Sequence, residues 1–267
     1  MSSRPRTLLH LTDTHLASDP AWRHHGVRPQ ARLAQVLEQA RRGPRPDLVL
    51  VTGDIGHDEG AAVYQRFRRE IRALGAPVQV LPGNHDVPSA FAEAYPAADA
   101  AVGFAGERWV GPWRVLSLDS QVPGEVAGRL GADQLRWLAE ALAAAPAAPT
   151  LVALHHAPVA TGTPWLDDHR LADSAGLLAC LEANPQVRGV LFGHVHQGVD
   201  TATEAGLRLL ATPAVTVQFQ PGSQRFTVAP DEPPALRWVE LAPDGAVETA
   251  LQRPAAGDEG AEAGPGG

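Results

Sequence analysis

Apolar residues in this chain come in short uninterrupted runs rather than in strict alternation with polar ones. Residues 7–11, 48–52, 78–81, 114–118, 150–154, 189–192 and 207–211 each read as a strand. Continuous runs of this length suit strands covered on both faces. Between several of them the apolar period lengthens to that of a helix. Residues 31–42 place Leu33, Val36, Leu37 and Ala40 on one face, and residues 61–74 do the same with Tyr64, Phe67 and Ile71. Residues 133–145 carry Leu135, Leu138 and Leu142, and residues 173–183 carry Leu177, Leu178 and Leu181. Strands alternating with helices predict an α/β layered fold. Near the end, residues 235–241 and 246–252 flank Ala242-Pro243-Asp244-Gly245, a hairpin signal, and are expected to complete a sheet as antiparallel strands. No repeat or linker divides the chain. One domain is expected over 1–253, followed by a disordered tail, 254–267, with nothing to bury.

Composition narrows the class. The chain has 267 residues, 44% hydrophobic and 19% charged, which is ordinary for a water-soluble domain. No apolar run approaches the roughly 20 residues that span a bilayer, and the first strand is too short for a signal sequence. A cytoplasmic protein with no membrane partner is expected. The single cysteine, Cys180, excludes an internal disulfide and lies in an apolar stretch that suits the core. The formal charge of −8 argues against tracking a nucleic-acid polymer. A small anion remains compatible if metal ions supply local positive charge. Only two asparagines are present, Asn84 and Asn184.

Five short motifs follow the strand runs in order. They are Asp13-Thr14-His15, Gly53-Asp54, Gly83-Asn84-His85-Asp86, His155-His156 and Gly193-His194-Val195-His196. Each alone is weak, but in series at strand ends they supply carboxylate, imidazole and amide ligands for two adjacent ions. Strand ends are where open α/β folds bind ligands. A donor set of nitrogen and oxygen without sulfur suits Fe, Mn, Zn or Co. Two ions about 3.5–4 Å apart hold a bridging hydroxide and clamp a phosphoryl group for in-line displacement. Asp54 has two oxygens with which to bridge. His85, next to Asn84, is placed to protonate a leaving oxygen or bind the phosphoryl group. Of His155 and His156, His155 closes the strand and is assigned as the ligand. His10 reads as a core histidine and His169 as a loop surface residue; His24 and His25, in a polar loop after the first motif, either face solvent, the favoured reading, or line the pocket, and His156 packs against or supports His155. His57 is either an orienting partner of a ligand or a bystander. Asp86 either supports the Asn84 loop or caps a helix. Trp165, in the loop after His155, either anchors that loop or stacks on a purine.

The ordered set resembles the calcineurin-like metallophosphoesterase superfamily, whose pattern runs Asp-x-His, Gly-Asp, Gly-Asn-His-Asp/Glu, His, Gly-His-x-His. Residues 11–16, 131–138, 165–167, 193–197 and 211–219 are further similar to its bacterial class III cyclic-AMP phosphodiesterase branch. The resemblance implies a four-layered α/β/β/α sandwich. It implies one ion on Asp13, His15, Asp54 and His196, and a second on Asp54, Asn84, His155 and His194, with iron or manganese foremost. It implies substrate contacts at Asn84 and His85, and hydrolysis of 3′,5′-cyclic AMP to 5′-AMP. A broader phosphodiesterase, acting on glycerophosphodiesters or 2′,3′-cyclic nucleotides, would use the same core. A non-catalytic scaffold would not need the full ligand set.

Overall fold

The computed structural model describes residues 4–96 and 102–254. The expected tail therefore lies outside the described residues, apart from Pro254. The chain builds one sheet, crosses to a second, and returns to the first. In the first half β1 (Arg6–Leu11), β2 (Leu48–Thr52), β3 (Val78–Leu81) and β4 (Val102–Phe104) pair in parallel. The final hairpin, β13 (Leu236–Leu241) and β14 (Val247–Gln252), adds two antiparallel strands beside β1, giving the order β14-β13-β1-β2-β3-β4.

The second sheet contains β5 (Gly106–Val110), β6 (Trp113–Ser117), β7 (Thr150–Ala153), β8 (Val187–Phe192), β9 (Val199–Ala202) and β10 (Arg208–Ala211), in the order β5-β6-β7-β8-β10-β9. Its four central strands are parallel, and β5 and β9 are antiparallel edges. A small ribbon of β11 (Gln218–Phe219) and β12 (Val228–Ala229) stands apart.

Alternate side chains of each strand explain the layering. On β1 and β2, Leu8, Leu48 and Leu50 meet Trp113, Val115, Leu151 and Leu191 of the facing sheet. Their neighbours Leu9, Leu11, Val49 and Val51 point the other way, onto helices α1 (Pro29–Arg42), α2 (Ala61–Arg72) and α3 (Pro88–Ala94). On the second sheet Leu116, Val152, Val190 and Phe192 pack against α4 (Gly131–Ala144), α5 (Pro164–Asp167) and α6 (Ser174–Glu182). Both faces of each sheet are apolar, so the strands read as continuous runs and the fold has four layers, α/β/β/α. A fully buried leucine contributes about 1.5–3 kcal/mol relative to exposure, so the interface between the sheets is a principal source of stability.

Among the polar groups that cross that interface are His10 and Arg237. His10, fully buried on β1, meets the Thr52 hydroxyl through Nε2 (2.8 Å) and the Thr212 hydroxyl through Nδ1 (2.6 Å). This is the satisfied core histidine that was expected. Arg237 of β13 donates to the carbonyls of Ala211 (2.7 Å) and Val199 (3.0 Å), both on the opposite sheet.

The register levels the ends of neighbouring strands: Leu11 faces Val51, Val51 faces Val80, and Ala153 faces Leu191. The loops after β1, β2, β3, β7 and β8 therefore open at one edge of the sandwich, and each carries one of the five motifs.

Candidate metal centre

The loops are laced together by their backbones before any side chain is considered. Asp13 N–H donates to the Gly53 carbonyl (3.0 Å), His15 to Asp54 (2.9 Å), and Gly193 to His155 (3.0 Å). From the second sheet, Val215 N–H reaches Thr12 (3.0 Å) and Thr216 N–H reaches Asp13 (3.2 Å). Asp86 accepts from the amides of Ile55 (3.2 Å), Gly56 (2.9 Å) and Gly83 (2.9 Å). It therefore ties the Asp54 loop to the Asn84 loop and does not cap α3, whose N-cap position is Val87 and which has no side-chain cap. Burial and the Asp54 charge push the Asp86 carboxyl up to about 7, against the pull of these amides.

Close approach dictates the glycines. A Cβ on Gly83 would overlap the Asp54 carboxylate, and one on Gly193 would overlap the Thr12 hydroxyl.

The ligand residues also carry strain. Asp13 (φ 54°), His15 (44°), Asp54 (50°), His194 (67°) and His196 (49°) all have left-handed backbones. Aspartate and histidine enter this region more readily than most non-glycine residues. Each such conformation still costs about 1–3 kcal/mol, and such costs collect at functional sites.

Among the described residues, the candidate ligands expected from the sequence fall into two groups of donor atoms. In the first, the donor atoms of Asp13, His15, Asp54 and His196 lie within 4.8 Å of one another. His15 Nε2 is 3.5 Å from Asp54 Oδ2, and His196 Nε2 is 3.4 Å from Asp13 Oδ1. In the second, Asn84 Oδ1 faces His155 Nε2 (3.2 Å) and His194 Nδ1 (3.0 Å), while Asp54 Oδ2 lies 3.6 Å from His155 Nε2. Asp54 is thus common to both groups of donor atoms. His85 donates its backbone amide to Asp54 Oδ1 (2.9 Å), and its ring lies beside the Asp58 carboxylate (Nδ1 to Oδ2, 3.5 Å).

The arrangement fits metal ions on several counts. Asp13 and Asp54 are buried carboxylates facing imidazoles, and burying such charge is costly without compensation. His155 donates Nδ1–H to the Thr52 carbonyl (2.6 Å) and His196 donates Nδ1–H to the Val217 carbonyl (2.7 Å). Each is left with an Nε2 lone pair aimed into the pocket, the tautomer that coordination through Nε2 requires. Burial and neighbouring imidazoles hold His15 and His194 well below the ordinary histidine pKa, so they stay neutral. His156 has no such lone pair to offer, because Nδ1 meets the Ser120 hydroxyl (2.8 Å) and Nε2 the Val126 carbonyl (3.1 Å). The geometry favours His155, which stands in the loop two residues beyond the end of β7.

A cavity of about 470 Å³ opens over these atoms, within the range of small-ligand sites. Its wall includes Trp165. That ring donates Nε1–H to the Ser223 hydroxyl (3.2 Å) and meets Phe219 and Phe226 edge-on at 5.2 and 5.3 Å. Phe219 in turn stacks on His196 (4.0 Å). Trp165 lies on the short helix α5 rather than in a loop, and from there it both anchors its segment and lines the cavity.

The sequence reading missed part of this wall. His24 is buried, stacked on His15 at 4.9 Å, not exposed as expected, and its pKa is lowered to about 3 by burial and the His25 charge. His25 is exposed but reaches Phe226 (5.0 Å), and Trp22, His57 and the half-buried His169 also line the cavity. The polarity of the loop around His24 concealed this, since the loop folds inward on histidines rather than on apolar residues.

With this geometry in place, the comparisons are consistent. The profile of the calcineurin-like phosphoesterase family matches residues 6–198, and the chain belongs to that family. It is 40% identical over 248 residues to a 3′,5′-cyclic adenosine monophosphate phosphodiesterase CpdA of Pseudomonas aeruginosa, covering 92% of this chain and 89% of the relative. A 3′,5′-cyclic-nucleotide phosphodiesterase of Nostoc sp. is 32% identical, over 93% and 92% of the two chains. Among solved structures, a dimetal phosphatase from Danio rerio superposes with a TM-score of 0.63 at 17% identity, over 94% of this chain and 100% of that one. A purple acid phosphatase from yellow lupin gives 0.64 at 14% identity, over 94% of this chain and 52% of that one. These two likenesses concern the fold alone. The family and the donor atoms together support a dinuclear divalent metal site.

Proposed function

We propose that this chain is a phosphodiesterase that hydrolyses 3′,5′-cyclic AMP to 5′-AMP. The observation that carries the substrate is the match to relatives named for that activity. It spans 92% of the chain and so covers the cavity walls as well as the ligand motifs. The first ion is assigned to Asp13, His15, Asp54 and His196, and the second to Asp54, Asn84, His155 and His194. Iron or manganese suits these nitrogen and oxygen donors, with zinc or cobalt as the alternatives. When bound, such ions supply Lewis acidity toward the phosphoryl group and an acidified water as nucleophile.

The chain's own residues do the rest. His85 faces the cavity and has Asp58 on one ring nitrogen, which leaves the other for the substrate. It holds a proton for the departing 3′ oxygen, so the phosphate stays on the 5′ side. Trp165, braced by Phe219 and Phe226, forms a flat wall for the adenine. The absence of any helix long and apolar enough to cross a membrane among the described residues is compatible with a cytoplasmic setting.

The test is turnover of cyclic AMP, 2′,3′-cyclic AMP, a glycerophosphodiester and an aryl phosphodiester, with metal content measured on the same sample. Cyclic AMP turned over fastest, with 5′-AMP as the main product, supports the reading. Faster turnover of the others replaces it with a broad-specificity phosphodiesterase. Trp165→Ala should raise KM for cyclic AMP more than for the aryl ester. An equal rise would make the ring a structural prop.

A further inference from the structure

The histidine ligands solve one problem in two ways. An imidazole that coordinates through Nε2 must carry its proton on Nδ1 and give that proton an acceptor. For His155 and His196 the acceptor is a main-chain carbonyl, of Thr52 and Val217. His15 also turns Nε2 inward, toward Asp54 and His196. Its Nδ1, however, faces a side chain: His57 Nδ1, at 3.1 Å. Two ring nitrogens at that distance share one proton, and the proton belongs on His15 if its Nε2 is to keep a free lone pair. His57 is then the acceptor, with its own proton on Nε2.

The position of His57 is well determined. Its amide donates to the Leu16 carbonyl (3.0 Å), and the next amide, of Asp58, donates to the His85 carbonyl (2.9 Å). The ring lies between Trp22 (5.2 Å) and His85 (4.6 Å, 20° between planes). We infer that His57 is a positioning residue: it fixes the tautomer and rotation of His15 and so sets the affinity of the first metal pocket, while its stack on His85 holds that ring over the cavity. Unlike the two carbonyls, it is an orienting group that a substitution can remove. The inference rests on the metal assignment proposed above.

The test measures metal affinity by chelator competition on the full chain, starting with wild type. His57→Phe keeps the ring and its stacking but has no acceptor. His57→Asn returns an acceptor oxygen to the place of Nδ1. The expected result is two ions in wild type, and in His57→Phe one ion weakened by about 10–100-fold with the other unchanged. His57→Asn should recover most of that loss. Melting of the metal-free proteins should be alike, which a merely structural role would not give. If His57→Phe does not fold, His57→Leu serves in the same comparison. Equal affinity in wild type and His57→Phe overturns the inference, as does equal weakening of both ions. A wild-type chain that binds no ion with measurable affinity overturns the metal assignment itself, and the role of His57 falls with it.

Discussion

At the scale of the residue, Asp54 is the one carboxylate that both donor pockets share. Asp54→Ala should therefore cost both ions and all turnover. Elemental analysis checks this, and retention of even one ion at full occupancy contradicts the shared role. His85 makes a different demand, since its ring lies beside the donor atoms without belonging to either pocket. His85→Ala should keep both ions and lose about 10²–10⁴-fold in rate on alkyl esters, the usual cost of removing a general acid. On an aryl ester, whose leaving group departs unprotonated, the loss should be smaller. Equal losses on the two esters would mean that His85 binds the phosphoryl group instead of protonating it. The candidate ligand residues stand out in the sequence because each follows a strand, in a fixed order. The residues behind them do not. His24, His57 and Trp22 lie in loops with no period, and their places are set by contacts with other histidines.

At the scale of the element, the seven internal strands found as continuous apolar runs recur within two residues at either end. The edge strands β4, β5 and β9 are not legible in the sequence because they lack such runs. In β5 exposure alternates, and β9 is almost wholly at the surface. The hairpin β13–β14 was legible from its turn, and its pairing beside β1 follows from the same logic as any sheet edge that needs a partner.

His10 on β1 supplies a test of how the two sheets are joined. Burial, reinforced by the Arg237 charge, lowers its pKa to about 3, whereas in the unfolded chain it titrates near the usual ~6.5. Below that value the unfolded chain takes up a proton that the folded one refuses. Stability is therefore lost as the pH falls from about 6.5 toward 3. His10→Gln should melt lower than wild type at pH 8, having lost the paired threonine hydroxyls. It should also show a shallower fall in Tm between pH 7 and pH 4. Parallel curves would mean that His10 does not report on acid stability.

At the scale of the whole molecule, neither half of the chain owns the site. Asp13, His15, Asp54 and Asn84 follow strands of the first sheet, while His155, His194 and His196 follow strands of the second. Ions bound there join the sheets at the open edge, just as His10 and Arg237 join them within. Binding to the folded state alone adds about 2.7 kcal/mol when the free ion is at 100 times its Kd. For a domain of this size that corresponds to about 5–10 °C in Tm. A chelator should lower the melting temperature of wild type by several degrees and leave Asp54→Ala where it was. Calorimetry with and without chelator checks both.

The division of ligands between the sheets also has a consequence for synthesis. The ribosome releases Asp13 early and His196 late, and the carbonyl that orients His196 belongs to Val217, later still. β13, which pairs with β1, comes after that. A nascent chain thus carries half a site for most of its translation and can neither trap an ion in both pockets nor act on a nucleotide. The candidate site is thus closed from both sheets only once the segment that carries Val217 has been added.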